Sequence, residues 1–232
     1  MESLIIRQHI RKSTLQSREN HIQKKLYRHI GIVIFVIQLF FNSSLAYAQD
    51  YSKTIKAFQK SYLHEASGDI SGAIVDMKNV YDENSYEINL RLGWLSYSLG
   101  LFSESQGYYN KAISLHPFAV EPRFGVVLPQ SALGNWSSVI LQYQKILEIT
   151  PNNSIALHRL GLIYYGKKLY SKAEQYFEKV VNLYPFNYDG LVMLAWTKYH
   201  LKKYREAKIL FNKALMNTPT GTSAMEGKNV VE

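Results

Sequence analysis

Lys145-Ile-Leu-Glu-Ile-Thr-Pro151 and Lys179-Val-Val-Asn-Leu-Tyr-Pro185 decide the fold, because the second rewrites the first 34 residues later. The phrase also stands upstream as Lys111-Ala-Ile-Ser-Leu-His-Pro117 and downstream as Lys213-Ala-Leu-Met-Asn-Thr-Pro219, so four prolines fall on one 34-residue ruler. A proline ring disfavours helical backbone in the residue before it, so each phrase reads as an amphipathic helix running into a turn. Working outward, Leu92-Gly93, Leu160-Gly161 and Leu194-Ala195 mark a first helix in each period. A turn and a second-helix start recur at Gly100-Leu-Phe102, Gly134-Asn-Trp136, Lys168-Leu-Tyr170 and Lys202-Lys-Tyr204. Ala173 and Ala207 follow, then aromatics at Tyr109, Tyr143, Phe177 and Phe211. No 7-residue period persists, so a coiled coil is excluded.

The period and these residues resemble the tetratricopeptide repeat family, over about residues 52–219. Small residues sit where the two helices of a hairpin cross closely, here Gly93, Ala112, Gly161, Ala173, Ala195, Ala207 and Ala214. Small side chains let helix axes approach while bulky ones fill the spaces between. The resemblance implies an all-α fold, a right-handed superhelical array of antiparallel helix hairpins (an α-solenoid) with about five repeats. A weaker first unit is visible in Gly68-Asp69-Ile70, Ala73 and Met77; it ends two residues short, with Ser85 in place of proline. Terminal repeats are commonly atypical because one face meets water instead of a neighbour.

The third unit, about 120–153, departs most. Val127, Val139 and Ile146 replace the expected small residues, so its helices are expected to sit further apart. Pro129 falls inside its first helix, where it removes a hydrogen bond and crowds the preceding turn, so irregular geometry is expected there. After Pro219 the tail, residues 220–232, reads as too polar and short for a capping helix, and disorder is expected.

Residues 1–48 read as an address. Arg7, Arg11, Lys12, Arg18, Lys24, Lys25 and Arg28 precede an apolar run, Ile30 to Phe41, and Ala46-Tyr47-Ala48 stands just before Gln49. A basic leader, a short apolar core and a small-x-small site are the parts of a secretory signal peptide. The apolar run is shorter than the roughly 20 residues that cross a bilayer comfortably. The leader is long, so the alternatives are a cleaved signal and an uncleaved anchor over residues 30–41. The mature chain, 49–219 plus tail, is expected in the periplasm or outside the cell if the source is bacterial.

The net charge of +9 invites a nucleic-acid reading, but its distribution argues against one. Residues 1–48 hold 7 Lys/Arg against 2 Asp/Glu, and the remainder holds 20 against 16 in mixed sign. Phosphate binders gather basic residues into a stripe or patch. There are no cysteines, which excludes disulfides, thiolate metal sites and a Cys nucleophile. His64, His116, His158 and His200 are too widely spaced for a local metal motif. No nucleophile elbow, phosphate loop or carboxylate pair stands out, so no catalytic residue, cofactor or metal is expected.

In the family the first helices of successive hairpins line a concave groove that carries ligand contacts. Carried over by the ruler, groove positions fall at Phe58, Tyr62, Trp94, Tyr97, Phe124, Leu128, His158, Leu162, Tyr165, Trp196, Tyr199 and His200. Trp94 and Trp196 share one register; Tyr97, Tyr165 and Tyr199 share another. Large rings with few rotatable bonds are the usual chemistry of binding hot spots; the alternative is that several pack against the next hairpin. Leu90, Phe124, His158 and Val192 stand where some members carry a key basic residue of a carboxylate clamp, so an apolar or extended peptide fits better. The expectation is an exported interaction scaffold or assembly factor. A glycan-binding module of the envelope and a membrane-anchored tethering domain are the alternatives, and the oligomeric state is open.

Overall fold

A computed structural model describes residues 51–231. The signal or anchor segment expected at 1–48 lies outside them. Residue contacts divide the chain between Gln59 and Lys60; α1, residues 51–66, runs across that point, and the packing described below is that of the second unit. There the helices are α2 (Ile70–Lys78), α3 (Tyr86–Ser98), α4 (Phe102–Leu115), α5 (Glu121–Ala132), α6 (Trp136–Ile149), α7 (Ser154–Gly166), α8 (Tyr170–Leu183), α9 (Tyr188–His200), α10 (Tyr204–Asn217) and α11 (Thr222–Val230). No strand occurs among the described residues. The fold is an all-α solenoid in which each hairpin packs on the next.

The proline ruler acts as the sequence requires. Helices α4, α6, α8 and α10 all stop two residues before their prolines. Their cap residues His116, Thr150, Tyr184 and Thr218 share φ near −130° and positive ψ, which is where a following proline sends them. Asn153 and Asn187 then open the next first helices, their side chains accepting from the amides of Ala156 and Gly190. The turn inside each hairpin needs one left-handed residue. Gly100 and Gly134 supply it freely, whereas Lys168 and Lys202 hold φ of 58° and 61°.

The small positions do their expected work. A Cβ added at Gly161 would stand 2.6 Å from the Phe177 ring, and one at Gly93 would stand 2.9 Å from Tyr109. Phe177, Leu160, Ala173, Val139 and Ile146 form a core shared by the third to fifth hairpins. A second cluster gathers Leu191, Ala195, Phe211, Ala214 and Ala224 at the C-terminal end.

Two expectations need adjusting. α5 is continuous across Pro129, and a second proline, Pro122, sits in its first turn where no amide is needed. The irregularity of the third hairpin lies in its packing: α5 and α6 lie less closely together than the helices of the fourth and fifth hairpins, and so do α6 and α7 compared with α8 and α9. Fully buried Val139 stands where the fourth and fifth hairpins carry Ala173 and Ala207, and fully buried Ile146 stands where they carry Val180 and Ala214, so bulkier side chains hold this pair apart. The tail is the plainer correction. Thr222–Val230 forms α11, not a disordered end, because Ala224 and Gly227 give it a face with no bulk that can lie on the Phe211 ring.

Candidate functional site

The expected groove residues arrive at different fates. Trp94, in α3, is 41% exposed, and its indole N–H donates to Glu65 Oε1 at 2.6 Å. Glu65 also pairs with the buried Arg91, 2.6 Å away. Arg91 in turn donates to the Ser61 hydroxyl and lies 3.9 Å over the ring of exposed Tyr62. Burial by itself would raise the Glu65 carboxyl, but hydrogen bonds from Trp94 and Arg91 with the Arg91 charge hold it below the ordinary carboxylate value. One ion pair therefore fixes the position of an exposed indole. Tyr97 continues the row, its ring 6.1 Å from Trp94 and 5.8 Å from Phe102.

Trp196 is not the counterpart of Trp94 that its register suggests. Its indole N–H donates to Ser223 in α11 at 2.9 Å, and its ring stands edge-on to Phe211 at 5.1 Å. It is half-buried within the C-terminal core cluster. Phe124 and His158 also turn inward. Phe124 packs edge-on against Tyr143 and His158 against Phe177, at 6.2 and 5.7 Å. Phe58 is half-buried.

Tyr165, Tyr199 and His200 come together. Tyr165 Oη lies 3.0 Å from His200 Nε2, and the His200 ring stacks on Tyr170. Tyr199 sits against Trp196, His200 and Tyr204. Burial raises the Tyr165 phenol, with Tyr170 adding to it, so it stays neutral at physiological pH. Outside the expected groove positions, Phe102, Tyr170 and Tyr204 start their second helices and complete these rows. Their signal was their own 34-residue register.

A second polar centre lies between hairpins. Lys198, in α9 and nearly buried, donates to Glu174, Glu178 and Glu206 at 2.8, 3.0 and 2.7 Å, and Lys203 adds a 2.7 Å contact to Glu174. Burial opposes the ammonium, but the three carboxylates outweigh it and drive the Lys198 pKa upward. Every carboxylate within reach has a cation, so the cluster reads as a tie between α8, α9 and α10. Among the described residues no group of His, Asp and Glu could hold a metal, and no helix is long and apolar enough to cross a membrane.

Paired helices on a 34-residue period, close-crossing at small residues and presenting rings from their first helices, define a helical-hairpin repeat protein. The comparisons agree. Tetratricopeptide repeat models match residues 86–118, 154–187 and 188–220, which are the second, fourth and fifth hairpins. The chain carries tetratricopeptide repeats, and those matches leave out its third hairpin. A TPR repeat-containing protein of Methanocaldococcus jannaschii is 25% identical over 174 residues, 73% of this chain but 28% of that protein. This chain therefore spans little more than a quarter of that relative. Among solved structures, a tetratricopeptide repeat protein from Parabacteroides merdae superposes with a TM-score of 0.67 at 22% identity, over 78% of this chain and 72% of that one. MamA superposes at 0.63 with 22% identity, over 71% and 91%. YrrB, described as a TPR protein with an unusual peptide-binding site, superposes at 0.63 with 14% identity, over 80% and 97%. At these identities the likeness establishes the fold.

Proposed function

We propose that this chain is an exported interaction scaffold whose first helices bind a protein or peptide segment. The observation that carries the reading is Trp94, an exposed indole held in place by Glu65 and Arg91 and continued by Tyr97. A ring already fixed in its bound position loses little entropy on contact, which is where affinity is gained. Neighbours in fold include YrrB, whose description names a peptide-binding site, and tetratricopeptide arrays offer extended faces of this kind. The test is site-specific photo-crosslinking in the source cell. A crosslinking residue at Trp94 or Tyr97 is expected to capture a second protein, while one at exposed Ile209 on α10 is not. Equal capture from both faces, or none from α3, would falsify the reading.

Export rests on the basic leader, the apolar run and Ala46-Tyr47-Ala48. Sequencing the N-terminus of the mature protein is expected to begin at Gln49. A chain that begins earlier removes cleavage and turns the leader into an anchor.

A further inference from the structure

Where the first helix of a hairpin hands over to the second, the ruler sets three positions side by side. One lies near the end of the first helix, one starts the second, and one ends the first helix of the next hairpin. Between the fourth and fifth hairpins these are Tyr165, Tyr170 and His200, and rings fill the space. The imidazole lies flat on Tyr170, with centroids 4.4 Å and planes 9° apart, and is hydrogen-bonded to Tyr165. Thirty-four residues earlier the same positions are Ser131, Trp136 and Gly166. The platform is kept, now as an indole, and both rings that would cover it are missing.

A cavity of about 510 Å³ opens at this place, lined by all three of these residues together with Val139 and other apolar side chains. The loosened packing of α6 on α7 leaves it room. Trp136 is 47% exposed. Two charged residues line the opening, Arg159 and Lys167, and both are cations. Among the described residues neither has an ion-pair partner. The chain thus shows, one repeat further on, what this space accepts, and the charge at its mouth shows what should flank it.

We propose that the cavity docks one aromatic side chain of an acidic protein segment. The ring lies on Trp136 as His200 lies on Tyr170, and neighbouring carboxylates pair with Arg159 and Lys167. Guanidinium–carboxylate pairs are directional and charge-assisted, so they set the register of the segment while the ring supplies the buried area. The inference rests on the reading that the repeats bind a protein segment, and it gives that reading a place and a chemistry.

Two probes test it on the full chain. The first is a library of displayed random dodecapeptides; the second is a fluorescein-labelled nonapeptide with a central Phe among Asp and Glu, read by anisotropy. The central variant is Ser131→Tyr with Gly166→His, which rebuilds the rings of the next repeat. A Cβ at Gly166 meets nothing within 4 Å, so the variant is expected to fold with a melting temperature no lower than the parent's. It should bind the nonapeptide at least tenfold more weakly, as should Trp136→Ala. Arg159→Glu with Lys167→Glu should lose the acidic peptide and gain its lysine-substituted version. Undiminished binding to the rebuilt chain, or equal binding of a peptide with Ala for Phe, overturns this site and leaves the general reading standing. A library that yields no binder at all removes both.

Discussion

At the scale of single residues, His158 shows how an expected groove position becomes half-buried against the core. The ruler places it one turn before Leu162 on the exposed face of α7, yet its ring stands against Phe177 and its Nε2 is buried without a hydrogen-bond partner. Burial pushes its pKa below the ordinary histidine value; Arg159 acts in the same direction, and the Asp189 carboxylate opposes both. The folded state therefore resists a proton that the unfolded chain accepts near pH 6.5. Stability contributed by neutral His158 is full above that pH and drains away as pH falls toward the lower folded value. Urea unfolding from pH 7.5 to 5 should show the midpoint of the parent falling more steeply than that of His158→Leu, with m unchanged. Superimposable profiles would remove the claim. Trp94 and Trp196 make the same point without titration. They share a register but differ in use, because one meets a carboxylate beside solvent and the other a serine on a helix that arrives later in the chain.

At the scale of helices, the 34-residue ruler made the hairpins, their crossings and their ends legible before any coordinates. Gly161 against Phe177, and the four helices that stop two residues before proline, are local consequences of residue type. What the ruler could not show is which partner a side chain finds across a helix interface. Lys198 illustrates this. Nothing in Trp196-Thr-Lys198 announces that its ammonium will enter a nearly dry space and gather Glu174 and Glu178 from α8 and Glu206 from α10. Lys198→Met would leave Glu174, little exposed, facing Lys203 alone. The expected cost is about 3 kcal/mol, the low end for deleting one member of a buried pair, since Glu178 and Glu206 reach water. Denaturant unfolding measures it. Pairing the change with Glu174→Leu should recover part of the loss, and a double variant as unstable as the two single changes summed would argue against a coupled network. Glu174 carries a second signature. Burial alone would raise it, but Lys198 and Lys203 hold it below the ordinary value, so its stability contribution vanishes as pH falls through that depressed pKa.

At the scale of the whole array, stability is a chain of neighbour contacts, and the last hairpin depends on what covers it. The covering helix is legible in the spacing of its small residues. Ala156, Gly190 and Ala224 stand 34 residues apart and are all buried, so α11 begins in the register of α7 and α9. Gly227 lies three periods after Gly125; Gly125 packs on Tyr109, and Gly227 packs on Phe211, itself three periods after Tyr109. Composition pointed to a polar tail, while the spacing of its small residues pointed to one more first helix. Gly227→Leu tests how much of the array this helix supports. A side chain there meets the Phe211 ring directly, and overpacking of this kind costs about 1–3 kcal/mol. Since each hairpin touches only its neighbours, the loss should fall on the C-terminal end. Amides of α9 and α10 are expected to exchange with deuterium roughly tenfold faster. Those of α3 and α4 should keep the parent's rates, and Trp196 should redden in fluorescence as its bond to Ser223 breaks. Uniform loss of protection along the chain would mean that the array unfolds as one cooperative block. Unchanged protection in α9 and α10 would mean that α11 is a passenger.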